Sequence, residues 1–111
     1  MGQQSTPVLE NVCPTAITFA LISGKWKVKI LWHLSQNESL RFNELQRKLP
    51  VISHKVLSSQ LNELLRDNLI QRKVIPHNPP KVEYSFTKEG KSLIPLLHFM
   101  NNWAKENKLN M

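Results

Sequence analysis

Pro50 separates a short helical pattern from a longer one, and this interruption limits what residues 42–69 can build. Proline inside a helix removes a hydrogen bond and collides with the preceding turn, so a helix over about Asn43 to Leu49 must stop there. Asn43 is a suitable N-cap, and Gln46, three residues on, completes a capping-box-like pair. Val51 and Ile52 then read as turn residues tucked inward. Ser53 caps a second helix whose Leu57, Leu61, Leu64 and Leu65 form one apolar stripe. Two helices joined by so tight a turn read as a helix-turn-helix, whose second helix docks by one side and enters a DNA major groove by the other.

Opposite the leucines stand His54, Lys55, Ser58, Ser59 and Asn62, with Val56 and Gln60 at the margin. Ser53 and His54 lie at the helix N-terminus, where free N–H groups and the dipole favour a phosphate. Lys55 can reach a guanine edge or a phosphate, the two serines offer short adaptable hydrogen bonds, and Gln60 suits an adenine edge. A helix face of this kind, taken alone, is more often merely solvated. The segment that follows favours the DNA reading.

Asn68 falls where a helix closes with a left-handed residue. Ile70 to Ile75 and Lys81 to Phe86 then read as strands around the tip His77-Asn78-Pro79-Pro80. Val82, Tyr84 and Phe86 share one face of the second strand, and Lys81, Glu83 and Ser85 the other. Prolines cannot extend the ladder, so the hairpin projects as a stiff wing. Arg72, Lys73 and Lys81 flank its tip. Lysine on a strand edge also serves simply to block aggregation, but beside a recognition helix three cations fit groove or backbone contact better. Lys25, Lys27 and Arg41 are further candidate phosphate clamps.

Upstream, Pro14 suits the first turn of a helix from Pro14 to Ile22 with Cys13 as its N-cap. A second helix runs from about Lys25 to Ser35, and Ser39 to Phe42 is a candidate strand edge. Thr87 caps a last helix to about Asn107, kinked or split at Pro95. Its Leu93, Leu96, Leu97, Met100, Trp103 and Ala104 make a broader apolar stripe than one small core needs. Together with the first helix and Val8, Leu9 and Val12, it suggests a second copy of the chain, although a thick single core is the plainer explanation. A two-fold dimer presents two recognition helices to a palindromic operator in double-stranded DNA.

The expected fold class is α+β, mainly helical: a winged helix-turn-helix with added N- and C-terminal dimerisation helices. The 111 residues form one domain in this reading, with a flexible arm over 1–12, the helix-turn-helix over 43–67, the wing over 70–86 and a dimerisation helix over 87–107. Fifteen Lys and Arg against eight Asp and Glu give a net charge of +7, which favours a polyanionic partner. No apolar run reaches membrane-spanning length and MGQQSTP lacks a signal peptide's apolar segment, so the expected compartment is the cytoplasm, with no membrane partner.

Catalysis finds little support. There is no nucleophile–base pair and no phosphate loop; the four histidines lack ligand spacing, so no metal and no cofactor are expected. The competing non-enzymatic reading is a winged-helix protein-interaction module without DNA binding, which has no need of a basic recognition face. Cys13, the single cysteine, rules out an internal disulfide. At a helix N-terminus its thiolate is favoured, which makes it a redox-sensing candidate for a small-molecule electrophile or oxidant, although Glu10 opposes this. An inert, half-buried cysteine is the equal alternative. Oxidation could join it only to a partner subunit or a small thiol.

From Cys13 to Trp103 the chain resembles the HxlR family of bacterial winged-helix regulators, related to the MarR-type repressors. The resemblance rests on Cys13-Pro14, Gly24-Lys25-Trp26, Arg41-Phe42-Asn43-Glu44-Leu45, and Ile52-Ser53 with Leu57 and Leu61. It continues through Asn68-Leu69-Ile70 with Arg72, Pro79-Pro80, Val82-Glu83-Tyr84-Ser85, Thr87, Gly90 and Trp103. It implies a homodimeric DNA-binding transcriptional regulator that dimerises through its first and last helices. It also implies that a cysteine ahead of the first helix, the place of Cys13, can sense quinones, aldehydes or other electrophiles. Two departures stand out: Asn68 replaces the usual glycine, and no second cysteine is present for a two-cysteine scheme within one chain.

Overall fold

The structure is a computed structural model that describes residues 12–109; most of the expected N-terminal arm, with Val8, Leu9 and Glu10, lies outside the described residues. Helix α1 (Pro14–Ile22) has Cys13 as its N-cap and Pro14 in its first turn, where the missing N–H costs nothing. Gly24, at φ 110°, turns the chain out of it, in a conformation that strains any residue with a Cβ. Helix α2 (Lys27–Ser35) begins two residues later than its spacing suggested, because the turn at Gly24 continues through Lys25 and Trp26. Ile30, Leu31 and Leu34 are its buried face.

Strand β1 (Leu40–Arg41) runs directly into helix α3 (Phe42–Lys48), which moves the cap upstream of its expected place. Arg41, not Asn43, is the N-cap, and Glu44 Oε1 accepts the Arg41 N–H at 2.8 Å. Gln46 is thereby freed for another bond: its Nε2 donates to the Ile52 carbonyl at 2.6 Å and ties α3 to the turn. That turn holds one inward slot, which Ile52 fills at 3% exposure. Val51 faces outward at 82% exposure, contrary to expectation.

Helix α4 (His54–Arg66) is capped by Ser53, whose Oγ accepts the Val56 N–H at 3.1 Å. Leu57, Leu61 and Leu64 are buried, while Leu65 marks the half-buried edge of the stripe. The helix closes in a Schellman motif: Leu69 N–H donates to the Leu64 carbonyl, Asn68 N–H to that of Leu65, and Asn68 takes φ 61°.

Strands β2 (Ile70–Ile75) and β3 (Lys81–Phe86) occupy the expected residues and form an antiparallel sheet in the order β1-β3-β2. The last helix is split, one of the two outcomes expected at Pro95. Thr87 caps a one-turn α5 (Lys88–Lys91), accepting the Gly90 N–H at 2.9 Å, and α6 (Ile94–Asn107) restarts with Pro95 in its first turn. Splitting there spares the cost of an interior proline. The core gathers α2, α3, α4, the base of the hairpin through Leu69, Ile70 and Phe86, and Leu97 of α6. Helix α4 thus faces the core with its leucines along one side.

Candidate nucleic-acid interface

Lys55, Ser59, Asn62 and Arg66 recur at helical spacing and form one exposed ridge along α4. With His54, Ser58 and Glu63 they line an open groove of about 580 Å³. Arg66 was not among the residues expected on this face. Its signal was present, since it continues the Lys55–Ser59–Asn62 spacing by one more turn. Ser58, Gln60 and Val56 flank the ridge, the first two half-buried and Val56 exposed.

His54 was expected at the helix N-terminus on the side opposite the leucines. Instead its ring packs on Phe42 of α3 with centroids 4.5 Å apart, because the first residue of α4 leans toward the leucine side. It remains exposed and docks the helix start against its neighbour.

Lys27 is also placed differently from expectation. It is buried, and its Nζ lies 2.6 Å from Glu63 Oε1, so it fixes the start of α2 to α4 rather than clamping a phosphate. Lys25, two residues earlier, is exposed, with its ammonium 5.1 Å from the Trp26 ring centroid.

The hydrogen bond from Lys27, and then its charge, hold the Glu63 carboxyl below its ordinary value of 4.5. A depressed folded-state pKa contributes stability that is complete above the unfolded value and is lost as pH falls through the folded one. Glu63→Gln should therefore be less stable than the parent at neutral pH, and the gap should close on acidification below about pH 4.5. Urea unfolding of both proteins across that range measures it; a gap independent of pH would contradict the pairing.

The sheet divides the wing cations between its faces. Arg41, Glu83 and Lys73 stand in one row across β1, β3 and β2, and Lys81 shares that face by alternation. Ser39 Oγ donates to Glu83 Oε1 at 3.0 Å on the same side. Arg72 is paired with Tyr84, and so belongs to the opposite face. Arg41, its Nε 3.9 Å from Glu44 Oε1, stays half exposed. It meets the wing tip across a groove of about 380 Å³ lined also by Phe42, Asn43, His77, Pro79, Pro80 and Lys81. The wing tip therefore adjoins the start of the helix-turn-helix.

Cys13 is exposed, and its thiol is held below its ordinary pKa, first by the Ala16 N–H and then by the N–H and hydroxyl of Thr15. Among the described residues no group of three or more His, Cys, Asp or Glu is arranged to hold a metal ion, and no helix is long and apolar enough to cross a membrane.

An outward polar ridge on the second helix of a tight helical pair, followed by a two-stranded wing, defines a winged helix-turn-helix protein. The HxlR-like helix-turn-helix family model matches residues 21–110, and the chain belongs to that family. It is 50% identical over 95 residues to the Fusobacterium mortiferum protein MalR, an alignment covering 86% of this chain and 90% of that one. Among solved structures it is similar to the redox regulator HypR in its reduced form, with TM-score 0.82 and 38% identity over 87% of this chain and 95% of that one. It is also similar to the reduced transcriptional regulator YodB of Bacillus subtilis, with TM-score 0.77 and 31% identity over 90% and 98% of the two chains. The chain is a DNA-binding transcriptional regulator.

Proposed function

We propose that this regulator works as a homodimer on a palindromic operator, each protomer placing α4 in a major groove. The observation that carries this is the exposure of Lys55, Ser59, Asn62 and Arg66 while Leu57, Leu61 and Leu64 anchor the same helix. Lys55, Ser58, Ser59 and Gln60 read bases. Ser53 and His54 at the helix start, with Lys25, Arg41 and Arg66, hold phosphates. Lys73 and Lys81 contact the backbone from the wing face they share with Arg41, and Arg72 contacts it from the other face. Its work is done where the chromosome is, in the cytoplasm, by binding alone and without a catalytic step.

Phe19 of α1 and Phe99 and Trp103 of α6 are exposed apolar side chains, and Phe19, Ile22, Leu96 and Met100 line an open groove of about 420 Å³ between these helices. This exposed face supports the dimer, in which a second copy covers it and sets the operator's two-fold symmetry. Footprinting on a duplex selected from a random pool tests the arrangement. Two symmetric protected half-sites, centred about one helical turn or a multiple of it apart, are expected; a single unsymmetric half-site would overturn it.

Replacing Lys73 and Lys81 together by Ala should weaken binding to all sequences. The slope of log K against log salt should flatten by about one unit per lost phosphate contact. Parallel slopes for the parent and the double variant would remove the wing from the contact set.

Cys13 is the proposed sensing residue. Its exposure and lowered pKa favour thiolate, and the similarity to the redox regulators HypR and YodB supports the same reading. Diamide should change operator affinity of the parent protein, through a disulfide to the partner subunit or to an added small thiol, and leave Cys13→Ser unaffected. An identical response from both proteins would end the sensor proposal.

A further inference from the structure

Two valines stand out at the start of α4. Val51, in the turn, is 82% exposed, and Val56, in the first turn of the helix, is 38% exposed. They bracket the cap: Val51 lies two residues before Ser53, and Val56 donates its backbone N–H to the Ser53 hydroxyl at 3.1 Å. Of the other exposed large apolar residues, Ile17, Phe19, Phe99 and Trp103 lie on α1 and α6, where a second copy of the chain can cover them, and Val74, 54% exposed, lies on the wing strand β2. Val51 and Val56 are on another part of the molecule, the first in the turn that leads into α4 and the second next to Lys55 in its first turn.

Val51 is almost uncovered where it stands, and Val56 is covered only in part. A β-branched residue gains nothing in a solvated turn, where polar residues and glycine are favoured. At the helix start, a polar residue would serve the backbone as well and cost less apolar exposure. The major groove presents one apolar group, the C5-methyl of thymine, and an aliphatic side chain beside it gains free energy by excluding water from both.

We infer that Val51 and Val56 are specificity-determining residues that pack against thymine methyl groups of the operator, next to the base edges read from Lys55 and Ser59. This rests on the proposed insertion of α4 in the major groove and adds to it a preference for thymine over cytosine at defined positions. The carbonyl and amine edges are read by hydrogen bonds; the methyls are read by contact alone.

The test uses the full chain and a duplex selected by it from a random pool, with each thymine replaced in turn by deoxyuridine. That substitution deletes one methyl and leaves every hydrogen-bonding edge intact. At one or two thymines in each half-site the parent protein should bind about fourfold more weakly per methyl lost. Val51→Ser or Val56→Ser should bind the thymine and uracil duplexes equally at the position its valine contacts. Thermal melting of the variants, both altered at exposed side chains, verifies that they are folded. The inference is overturned if no uracil position weakens the parent, or if both serine variants keep the parent's discrimination. A pool that yields no selected duplex would overturn the DNA-reading role of α4 itself, and this inference with it.

Discussion

Lys55→Glu should lower affinity for the selected operator by about 100-fold or more while leaving the melting temperature unchanged. Lys55 is exposed on the ridge of α4 and flanked by Ser58 and Ser59, so the fold does not depend on its side chain. In the groove, the substitution removes a donor to a base edge or phosphate, a contact worth about 1–3 kcal/mol, and brings a carboxylate toward the polyanion. Lys55→Ala removes only the first part and should cost about tenfold. Fluorescence anisotropy at fixed salt measures both. A charge-reversed protein that binds within about fivefold of the parent would show that α4 does not face DNA.

Gly90→Ala should be among the most destabilising single substitutions, by about 3 kcal/mol, near the top of the overpacking range. A Cβ at this position collides with the Leu69 carbonyl oxygen and stands 2.8 Å from its carbon and 2.9 Å from Cδ1 of Phe86. The carbonyl cannot give way easily, because it accepts the Thr87 N–H at 3.1 Å and the Thr87 hydroxyl at 3.2 Å. Thr87 is in turn held by the Gly90 N–H and by the Asn68 carbonyl. The better helix propensity of alanine recovers at most about 1 kcal/mol. Thermal unfolding should show a Tm lower by about 10–20 °C. A shift under about 3 °C would mean that the junction between α4, the hairpin and α5 is looser than its geometry implies.

Where the sequence carried a local rule, the fold could be read from it. Both wing strands stand at the expected residues, the second of them marked by alternation, Pro14 and Ser53 marked two helix starts, and Asn68 took the left-handed turn. The misplaced features depend on what the chain meets in space. Arg41 became the cap of α3 because β1 pairs with β3 and delivers the chain already extended, a long-range effect invisible in Asn43 and Gln46. Lys27 reads as one more surface cation until Glu63, on another helix, is brought to 2.6 Å. Phe42 and His54 are twelve residues apart in sequence, and only the tight turn stacks them. Val51 and Ile52 are indistinguishable by composition, yet the turn has room for one. In the candidate interface, the ridge was legible from periodicity, and Arg66 belonged to that same period. Alternation within β2 divides Arg72 from Lys73, but that Lys73 shares its face with Lys81 and Arg41 follows from strand register, which the sequence does not give across strands.

The most direct measurement of how this molecule meets DNA is photo-cross-linking from single sites in the Cys13→Ser background, with a benzophenone maleimide on Ser59→Cys or on Phe99→Cys. From position 59 the cross-links should fall on operator bases in the major groove of each half-site, and from position 99 on the second protein chain. Cross-links to DNA from position 99 and none from position 59 would contradict the account.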